Sequence, residues 1–303
     1  MSNTEIWDKY RDLVPLQSVT YDGDNHKDVA VVIVNRDRPD LTDQLVEQIS
    51  HSKGDLSVDV YVIEMGSSKR SRYADYHYDD PDFRGKAFGH NVGVRYAKAR
   101  GKYRYYFTVM NDIKFTKKLG LKNLVAIADK YPKLGILSPT EPSASYAGGI
   151  CRPQSGKDFQ LVSQVNYLAL LVRSELIDQG LYLTPSFKYC WGAIHELSYK
   201  TYLAGYNVGY AGSVTMLHFG NSIYGEIKNA PSRVEYLQNA QKFASRYLVE
   251  HYGKEWDKEF SAALPKSIAG SRFDTFTRHR NKWERQLEER ERALYHRVAG
   301  QLS

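Results

Sequence analysis

The chain has few cysteines and no long apolar run. Its 303 residues include only two cysteines, Cys151 and Cys190, too few for a disulfide framework or a zinc cluster. The longest aliphatic runs, such as Val29 to Val34, span about six residues, and the N-terminal segment carries charges where a signal peptide requires an apolar core. The sequence therefore predicts no secretory signal, no transmembrane segment and a reducing, cytoplasmic location.

The rest of the composition is that of a folded protein. Hydrophobic residues make up 42% and charged residues 25% of the chain, which excludes disorder and collagen-like structure. The 42 Lys and Arg exceed the 35 Asp and Glu, giving a net charge of +7. That excess suits a nucleotide diphosphate, a nucleic acid or an anionic membrane, and it is equally typical of solvated lysines. The 24 tyrosines against 11 phenylalanines suit stackable polar ligands and also half-buried sheet positions.

Apolar runs and helical spacings alternate along the first half of the chain. Strands are predicted at 29–34, 58–63, 103–110 and 134–139, and helices at 40–50, from Gly89 onward and at 121–130. Alternating strands and helices predict an α/β fold with a mostly parallel sheet. Such sheets bind ligands at the carboxyl ends of their strands.

The second half begins with a Gly-, Pro- and Ser-rich segment at 140–157, of a length that is usually functional. Strands are then predicted at 165–172, 208–210 and 214–219, and helices at 174–179, 195–203 and 231–252. After Ser271, apolar residues at helical spacing with charges between them predict a helix that packs on the body or on a second subunit.

Seven segments, in this order, resemble the family 2 glycosyltransferases of the GT-A fold. They read VAVVIVNRDRPDL, VYVIEMGSS, FGHNVGVRYAKARG, YYFTVMNDIKF, LALLVRSELI, WGAIHELSYKTYLAGYNVGY and VTMLHFGNSI. The resemblance covers Val29 to Tyr252 and implies a Rossmann-like nucleotide-sugar transferase fold. We expect a leader at 1–28, a transferase domain at 29–255 with a nucleotide-binding half (29–139) and an acceptor half (140–255), and a helical extension at 256–303.

The resemblance also implies where the nucleotide lies. The expected nucleotide-binding residues follow strand ends or open the glycine-rich helix: Asn35, Arg36, Glu64, Ser67, Asn91, Gly93 and Asn111. An arginine suits phosphate, and a helix N-terminus with close backbone approach suits a diphosphate. Glu64 stands where the family usually has Asp, so the base of the nucleotide stays open, with a UDP-sugar as the first expectation.

In the family, an acidic Asp-x-Asp motif stands at the end of the third strand. The matching residues here are Met110-Asn111-Asp112, so only the last acid is present. The resemblance implies that Asp112, together with His218, holds Mn²⁺ or Mg²⁺ while the substrate diphosphate and water complete the coordination. A histidine after an apolar strand is otherwise more often structural.

The family's catalytic acids are replaced by Ala193 and Ile194. Glu196 is then the expected base, with His195 as its substitute. The helix dipole also favours a glutamate in the first turn of a helix, without any catalytic role. Trp191 and the Gly148-Gly149 pair, chiefly Gly149, are expected to shape the acceptor or donor-sugar pocket.

These parts predict a metal-dependent hexosyl- or pentosyltransferase that moves a sugar from a nucleotide-diphosphate donor to a hydroxyl acceptor. A saccharide, a lipid-linked glycan, a protein and a nucleic acid such as DNA with a hydroxylated base stay open as acceptors. The missing acids leave a second hypothesis, a degenerate GT-A module that binds nucleotide or DNA without turnover. A homo-oligomer through the C-terminal helix is a further expectation.

Overall fold

The computed structural model describes residues 26–80, 84–141, 156–187, 190–219 and 233–273. Within these ranges the chain forms nine strands and seven α-helices. The strands are β1 (His26–Asn35), β2 (Val58–Met65), β3 (Ala74–Tyr78), β4 (Lys102–Met110), β5 (Ile113–Phe115), β6 (Leu134–Thr140), β7 (Phe159–Leu161), β8 (Ala169–Arg173) and β9 (Asn207–His218). The helices are α1 (Pro39–Ser52), α2 (Lys86–Lys98), α3 (Gly120–Lys130), α4 (Ser174–Asp178), α5 (Ala193–Leu203), α6 (Arg233–Tyr252) and α7 (Trp256–Ala262).

The strands form one mixed sheet in the order β3-β2-β1-β4-β8-β6-β9-β5, with β7 paired to β9. The pairs β1/β2, β1/β4, β2/β3 and β6/β9 are parallel, whereas β8 is antiparallel to both neighbours, and β5 and β7 are antiparallel to β9. Six strands therefore point one way and three the other. The α/β class with a mostly parallel sheet is confirmed.

Helices cover both faces of this sheet. The central strand β1 is a continuous apolar run, and Val29 to Ile33 have no exposed surface. On one face it is covered by α1 and α3, through side chains such as Leu45 and Leu121. On the other face α2, α5 and α6 pack around a larger core that includes Phe187. Burial on both faces explains why the strand lacks alternating polar residues.

Two strands differ from the sequence-based expectation. The run at 165–172 forms a strand only from Ala169 to Arg173, and it runs antiparallel. The two segments predicted around Val208 and Leu217 are parts of one long strand, β9, whose pairing with β6 shifts register between Pro139 and Thr140. An apolar run has the same pattern in a parallel and in an antiparallel strand, so hydrophobicity could not predict the direction of β8. It also could not predict that two apolar segments join into the single strand β9.

Many tyrosines serve the core. Tyr105 and Tyr210 are among the largest fully buried side chains. The Tyr105 hydroxyl donates to Asp129 Oδ1 at 2.8 Å, and the Tyr210 hydroxyl accepts from the backbone N–H of Asn166 at 2.6 Å. Buried sheet positions with a hydrogen-bonded hydroxyl therefore account for part of the tyrosine excess.

Aromatic side chains beyond residue 255 join the same core. Phe260 stacks on Tyr199 of α5 with ring centroids 4.0 Å apart, and Phe273 packs edge-on against Phe260. Residues 256–273 thus pack on the body. Of the leader predicted at 1–28, residues 26–28 are part of β1, and residues 1–25 lie outside the described residues, as does the predicted helical extension from residue 274 onward. None of the described helices is long and apolar enough to cross a membrane.

Candidate functional site

The parallel strands bring polar residues to one edge of the sheet. Because β1, β2, β4, β6 and β9 point the same way, their last residues lie at a common carboxyl edge. That edge carries Asn35, Glu64, Asn111 with Asp112, Glu141 and His218, each at or just after the end of its strand. Glu141, only 1% exposed, is a carboxylate that the sequence analysis did not consider.

Asn35, Glu64 and Asn111 form one buried hydrogen-bond network. The Asn35 amide donates to both carboxylate oxygens of Glu64, at 3.1 and 2.9 Å, and its oxygen accepts from Asn111 at 3.3 Å. Thr42 of α1 donates to Asn35 and accepts from Asn111, both at 3.0 Å. The backbone N–H of Ser71 donates to Glu64 at 2.8 Å. These three expected nucleotide-binding residues thus lie together, and their mutual bonds fix the loops around the edge.

The loop after β1 is also braced. Ser67 donates to the Asn35 carbonyl at 3.2 Å and accepts from the Asp37 N–H at 3.3 Å. Arg36 lies beside the buried carboxylate of Asp80, with 3.3 Å between guanidinium nitrogen and oxygen, and about a third of its side chain is exposed. Arg36 and Ser67 are therefore held at the edge, where an anionic ligand could reach the arginine.

Asp112 and His218, the two expected metal ligands, lie next to each other. Residue 112 lies in the turn between β4 and β5, and β5 pairs with β9 so that Ile113 is opposite His218. His218 Nε2 is 3.2 Å from Asp112 Oδ2, and the two side chains are only 12% and 8% exposed. The backbone N–H of Phe219 donates to the Asp112 carbonyl at 2.9 Å. The β5/β9 pairing thus places a carboxylate and an imidazole face to face.

Lys86 adds a positive charge that the sequence analysis missed. Burial is the largest influence on the Asp112 carboxyl and raises its pKa, but the hydrogen bond and charge of His218 and the charge of Lys86 outweigh it, and the pKa lies below its ordinary value. Lys86 is the first residue of α2, which follows Gly85 at φ 88°. Asp112 is therefore ionised at neutral pH, and the positive charge of Lys86 contributes to this.

Asn91 and Gly93, on the same helix, have packing roles. The Asn91 amide donates to the Leu183 carbonyl at 2.6 Å, and its side chain is buried. A Cβ at Gly93 would lie 2.2 Å from a Val32 methyl and 3.0 Å from Ile63 Cγ1. Gly93 therefore permits the close approach of α2 to β1 and β2, which positions the N-terminus of α2.

A buried group of His90, Tyr167 and Cys190 lies behind Lys86. The hydroxyl of Tyr167 is hydrogen-bonded to His90 Nδ1. Burial and then the Lys86 charge lower the pKa of His90 to about 3, so its imidazole is neutral. Burial raises the pKa of the Cys190 thiol to about 11, against the opposing effect of Lys86. Cys190 is a free, protonated thiol.

Glu196 is enclosed by the helix core. Its carboxylate accepts from the Tyr252 hydroxyl at 2.5 Å and from Thr184, and it pairs with Lys200 Nζ at 2.9 Å. Its side chain is 4% exposed. These contacts join α5 to the end of α6 and give Glu196 a structural reason to be present.

The other expected pocket residues lie around this helix or outside the described ranges. His195 is buried, with its ring 6.2 Å from Trp256 and 6.4 Å from Phe273. Trp191 packs half-buried at the edge of the larger core. Gly148 and Gly149 fall outside the described residues. The roles expected for Glu196, His195, Trp191 and Gly149 stay predictions.

The Asp112–His218 pair fits a divalent cation chemically. Two ligands at neighbouring corners of an octahedron with bonds of about 2.1 Å are about 3 Å apart, close to the 3.2 Å between Oδ2 and Nε2. The described part of the chain contains no group of three or more His, Cys, Asp or Glu that could hold a metal ion. A cation here would therefore take further ligands from substrate and water.

Comparisons with known proteins show the fold. Neither a known family's sequence profile nor a curated protein sequence matches the chain. Among solved structures it is similar to a mannosyltransferase from Pyrobaculum calidifontis in complex with GDP-Man and Mn²⁺, at 15% identity and a TM-score of 0.52, covering 88% of this chain and 80% of that one. It is also similar to S. aureus TarS in complex with UDP-GlcNAc, at 13% identity and a TM-score of 0.52, covering 82% and 75%.

A third similar structure is GalNAc-T7 with UDP, GalNAc and Mn²⁺, at 12% identity and a TM-score of 0.54. The match covers 85% of this chain but only 62% of that one, less than two thirds of its length. The chain thus has a GT-A glycosyltransferase-like fold, which confirms the fold that the motif order implied.

Proposed function

We propose that the protein is a glycosyltransferase that moves a sugar from a nucleoside-diphosphate donor to a hydroxyl acceptor with the help of a divalent cation. The observation that carries this proposal is the convergence of Asp112 and His218 at the carboxyl edge of a GT-A-like sheet, 3.2 Å apart. Asp112 is ionised, as a metal ligand must be. The solved structures of similar fold contain GDP-Man, UDP or UDP-GlcNAc, and two of them contain Mn²⁺.

Asp112 and His218 would hold the cation, with the imidazole favouring Mn²⁺ over Mg²⁺. When bound, the cation supplies Lewis-acid stabilisation of the negative charge on the departing diphosphate. Lys86 and the N-terminus of α2 direct positive charge to the same place. Arg36, held by Asp80, lies at the β1 end of the edge and orients the anionic donor. The buried network of Asn35 keeps these loops in place before the donor arrives.

The group that takes the proton of the acceptor hydroxyl is less clearly defined than the metal and donor site. Glu196 is the base implied by the motif, but its carboxylate already has three partners and little exposed surface. Ala193 and Ile194, at the start of α5, have side chains that cannot take a proton. This observation favours a second candidate function, a module that binds a nucleotide sugar without transferring the sugar.

Calorimetry tests the metal and donor site directly. UDP is titrated into the protein with and without Mn²⁺, using the wild type, Asp112→Asn and the control Asp257→Asn on α7. We expect Mn²⁺ to tighten UDP binding in the wild type and the control but not in Asp112→Asn. Equal Mn²⁺-dependent affinity in all three proteins would remove the metal assignment. GDP is titrated in parallel, because the base of the nucleotide is open.

Turnover separates the two candidates. A panel of UDP- and GDP-hexoses and pentoses is incubated with the protein and Mn²⁺, and released nucleoside diphosphate is measured. A transferase hydrolyses its own donor slowly even without acceptor, whereas a binding module releases none. Binding without any release, across the whole panel, would favour the module.

A further inference from the structure

A cavity of about 530 Å³ lies between α1 and the segment from β5 to the start of α3. Its size is within the range of small-molecule sites, about 300–1,000 Å³. The α1 residues that line it run from Leu41 to Ser52, a helical length of about 16 Å. The cavity is therefore long enough for an extended ligand that lies along α1.

The walls of this cavity are held in place by hydrogen bonds. Gln48 of α1 donates to the Phe115 carbonyl at 3.1 Å and accepts from the Phe115 N–H at 2.9 Å. Beyond β5, the Thr116 hydroxyl donates to the Thr215 carbonyl of β9 at 3.0 Å. Leu45 and Phe115 are buried in the core beneath. The cavity is thus preformed between α1 and β5.

Among the residues that the structure describes, lysines give this cavity a positive charge. Lys114, Lys117 and Lys118 line it, are exposed, and form no ion pair with any residue that the structure describes. The carboxylate among the lining residues is Glu47, and it is engaged by Arg72. Neighbouring Lys122, by contrast, pairs with Asp55 at 2.8 Å. Three lysines around a preformed cavity attract phosphate groups.

The cavity adjoins the proposed reaction centre. Asn111 and Phe219 line it, and each is the direct chain neighbour of a proposed metal ligand, Asp112 or His218. The cavity leads away from the Asn35 loop, because its α1 lining continues to His51 and Ser52 near the far end of that helix. Of the expected nucleotide-binding residues, the lining includes Asn111 but not Arg36 or Glu64, so a ligand lying there reaches the centre at its Asn111 end and otherwise lies along α1.

We propose that this cavity is the acceptor site and that the acceptor carries phosphate groups. The proposal rests on the glycosyltransferase function proposed above. The lysines bind the phosphates, and the length of the cavity lets a hydroxyl of the same molecule reach the Asp112–His218 end. A lysine on the edge strand β5 also discourages edge-to-edge pairing, but that role explains Lys114 alone and neither of the two lysines beyond the strand.

Two triple variants with the same loss of charge test the proposal. The cavity variant is K114A/K117A/K118A, and the control variant is K242A/K254A/K266A, whose lysines are exposed on α6 and beyond it. A third variant, K114R/K117R/K118R, keeps the cavity charge. Inorganic tripolyphosphate is titrated calorimetrically into each protein in metal-free buffer, at low and at physiological ionic strength. UDP with Mn²⁺ is titrated separately.

We expect the cavity variant to bind tripolyphosphate about tenfold more weakly or worse, with UDP affinity unchanged, because three phosphate contacts are lost. The control and arginine variants should match the wild type. Equal weakening in the cavity and control variants would mean diffuse charge attraction and overturn the proposal. Parallel loss of UDP affinity in the cavity variant would assign the cavity to the donor and overturn it too.

The final experiment measures the transfer of sugar to an acceptor. Phosphate-bearing and neutral glycan acceptors are compared, and the cavity variant should raise KM for the phosphate-bearing acceptor at least tenfold with little change in kcat. Preference for neutral acceptors by the wild type would refute the acceptor class. If no donor is turned over at all, the proposed function fails, whereas the tripolyphosphate titration still decides whether the cavity binds phosphate.

Discussion

Replacing Glu196 distinguishes a packing role from a catalytic one. Alanine at this position removes the acceptor of the Tyr252 and Thr184 hydroxyls and leaves Lys200 without its anion. Removing one partner of a buried pair costs about 3–5 kcal/mol of unfolding free energy. Because Lys200 is 22% exposed and can turn toward water, we expect the lower end, about 3 kcal/mol. Glutamine can accept from one hydroxyl through its oxygen and donate to the other through its NH2 group, so it should cost only about 1–2 kcal/mol.

Urea unfolding followed by circular dichroism measures these costs, with Glu250→Ala as control. Glu250 pairs with Arg246 on α6 at the same i,i+4 spacing, but both side chains are largely exposed, so the cost should be at most about 0.5 kcal/mol. Donor hydrolysis by folded Glu196→Gln should stay within about threefold of wild type, since a packing residue only positions its helix. If Glu196→Gln unfolds like wild type but its turnover falls by about 10²–10⁴-fold, the packing argument is refuted and Glu196 is identified as the base.

Two further predictions concern the buried face of α2. His90 has a pKa of about 3 in the folded state against 6.5 unfolded, so between those values the unfolded chain binds the extra proton, and stability is lost as pH falls. His90 alone should contribute a loss of up to about 1.4 kcal/mol per pH unit below pH 6.5, and about 5 kcal/mol at most. His90→Gln should therefore show a shallower slope than wild type in urea unfolding, and equal slopes would contradict the assignment. Gly93→Ala should cost about 1–2 kcal/mol, since overpacking against Val32 exceeds the gain in helix propensity. Gly89→Ala, whose added Cβ would come no nearer than 3.0 Å to Met65 or Val34, should cost less; the reverse order of unfolding midpoints would contradict this account.

Hydrophobic pattern was enough to predict the first βαβ unit. The strands expected at 29–34 and 58–63 lie within β1 and β2, and the helix expected at 40–50 lies within α1. Each is a strong local pattern, and Pro39 marks the helix start. Because strand ends place residues at the sheet edge, the grouping of Asn35, Glu64 and Asn111 was also predictable from sequence.

Contacts between distant segments could not be predicted in this way. Glu196 meets Tyr252 56 residues later in the chain, and nothing in either segment indicates that pairing. In the sequence Lys86 looks like an ordinary solvated lysine at a helix start, and only the fold brings its charge to bear on the Asp112 carboxyl. That Lys114 forms no ion pair with a described residue depends on which acids the fold leaves nearby. Local pattern thus predicts which groups reach the edge, and tertiary packing decides which of them are already engaged.

This distinction changes what the edge can do chemically. The carboxylates of Glu64 and Glu196 are buried and have internal hydrogen-bond partners, so a ligand would have to displace those bonds at a cost of about 1–3 kcal/mol for each group left unsatisfied. A cation at the Asp112–His218 pair would also displace a hydrogen bond, the one between these two side chains, but it would give each of them a ligand contact in return. On the proposed function, an anionic ligand would therefore be bound by charge at Lys86 and the cavity lysines, whereas the amide network would hold the strand ends at Asn35, Glu64 and Asn111 in place.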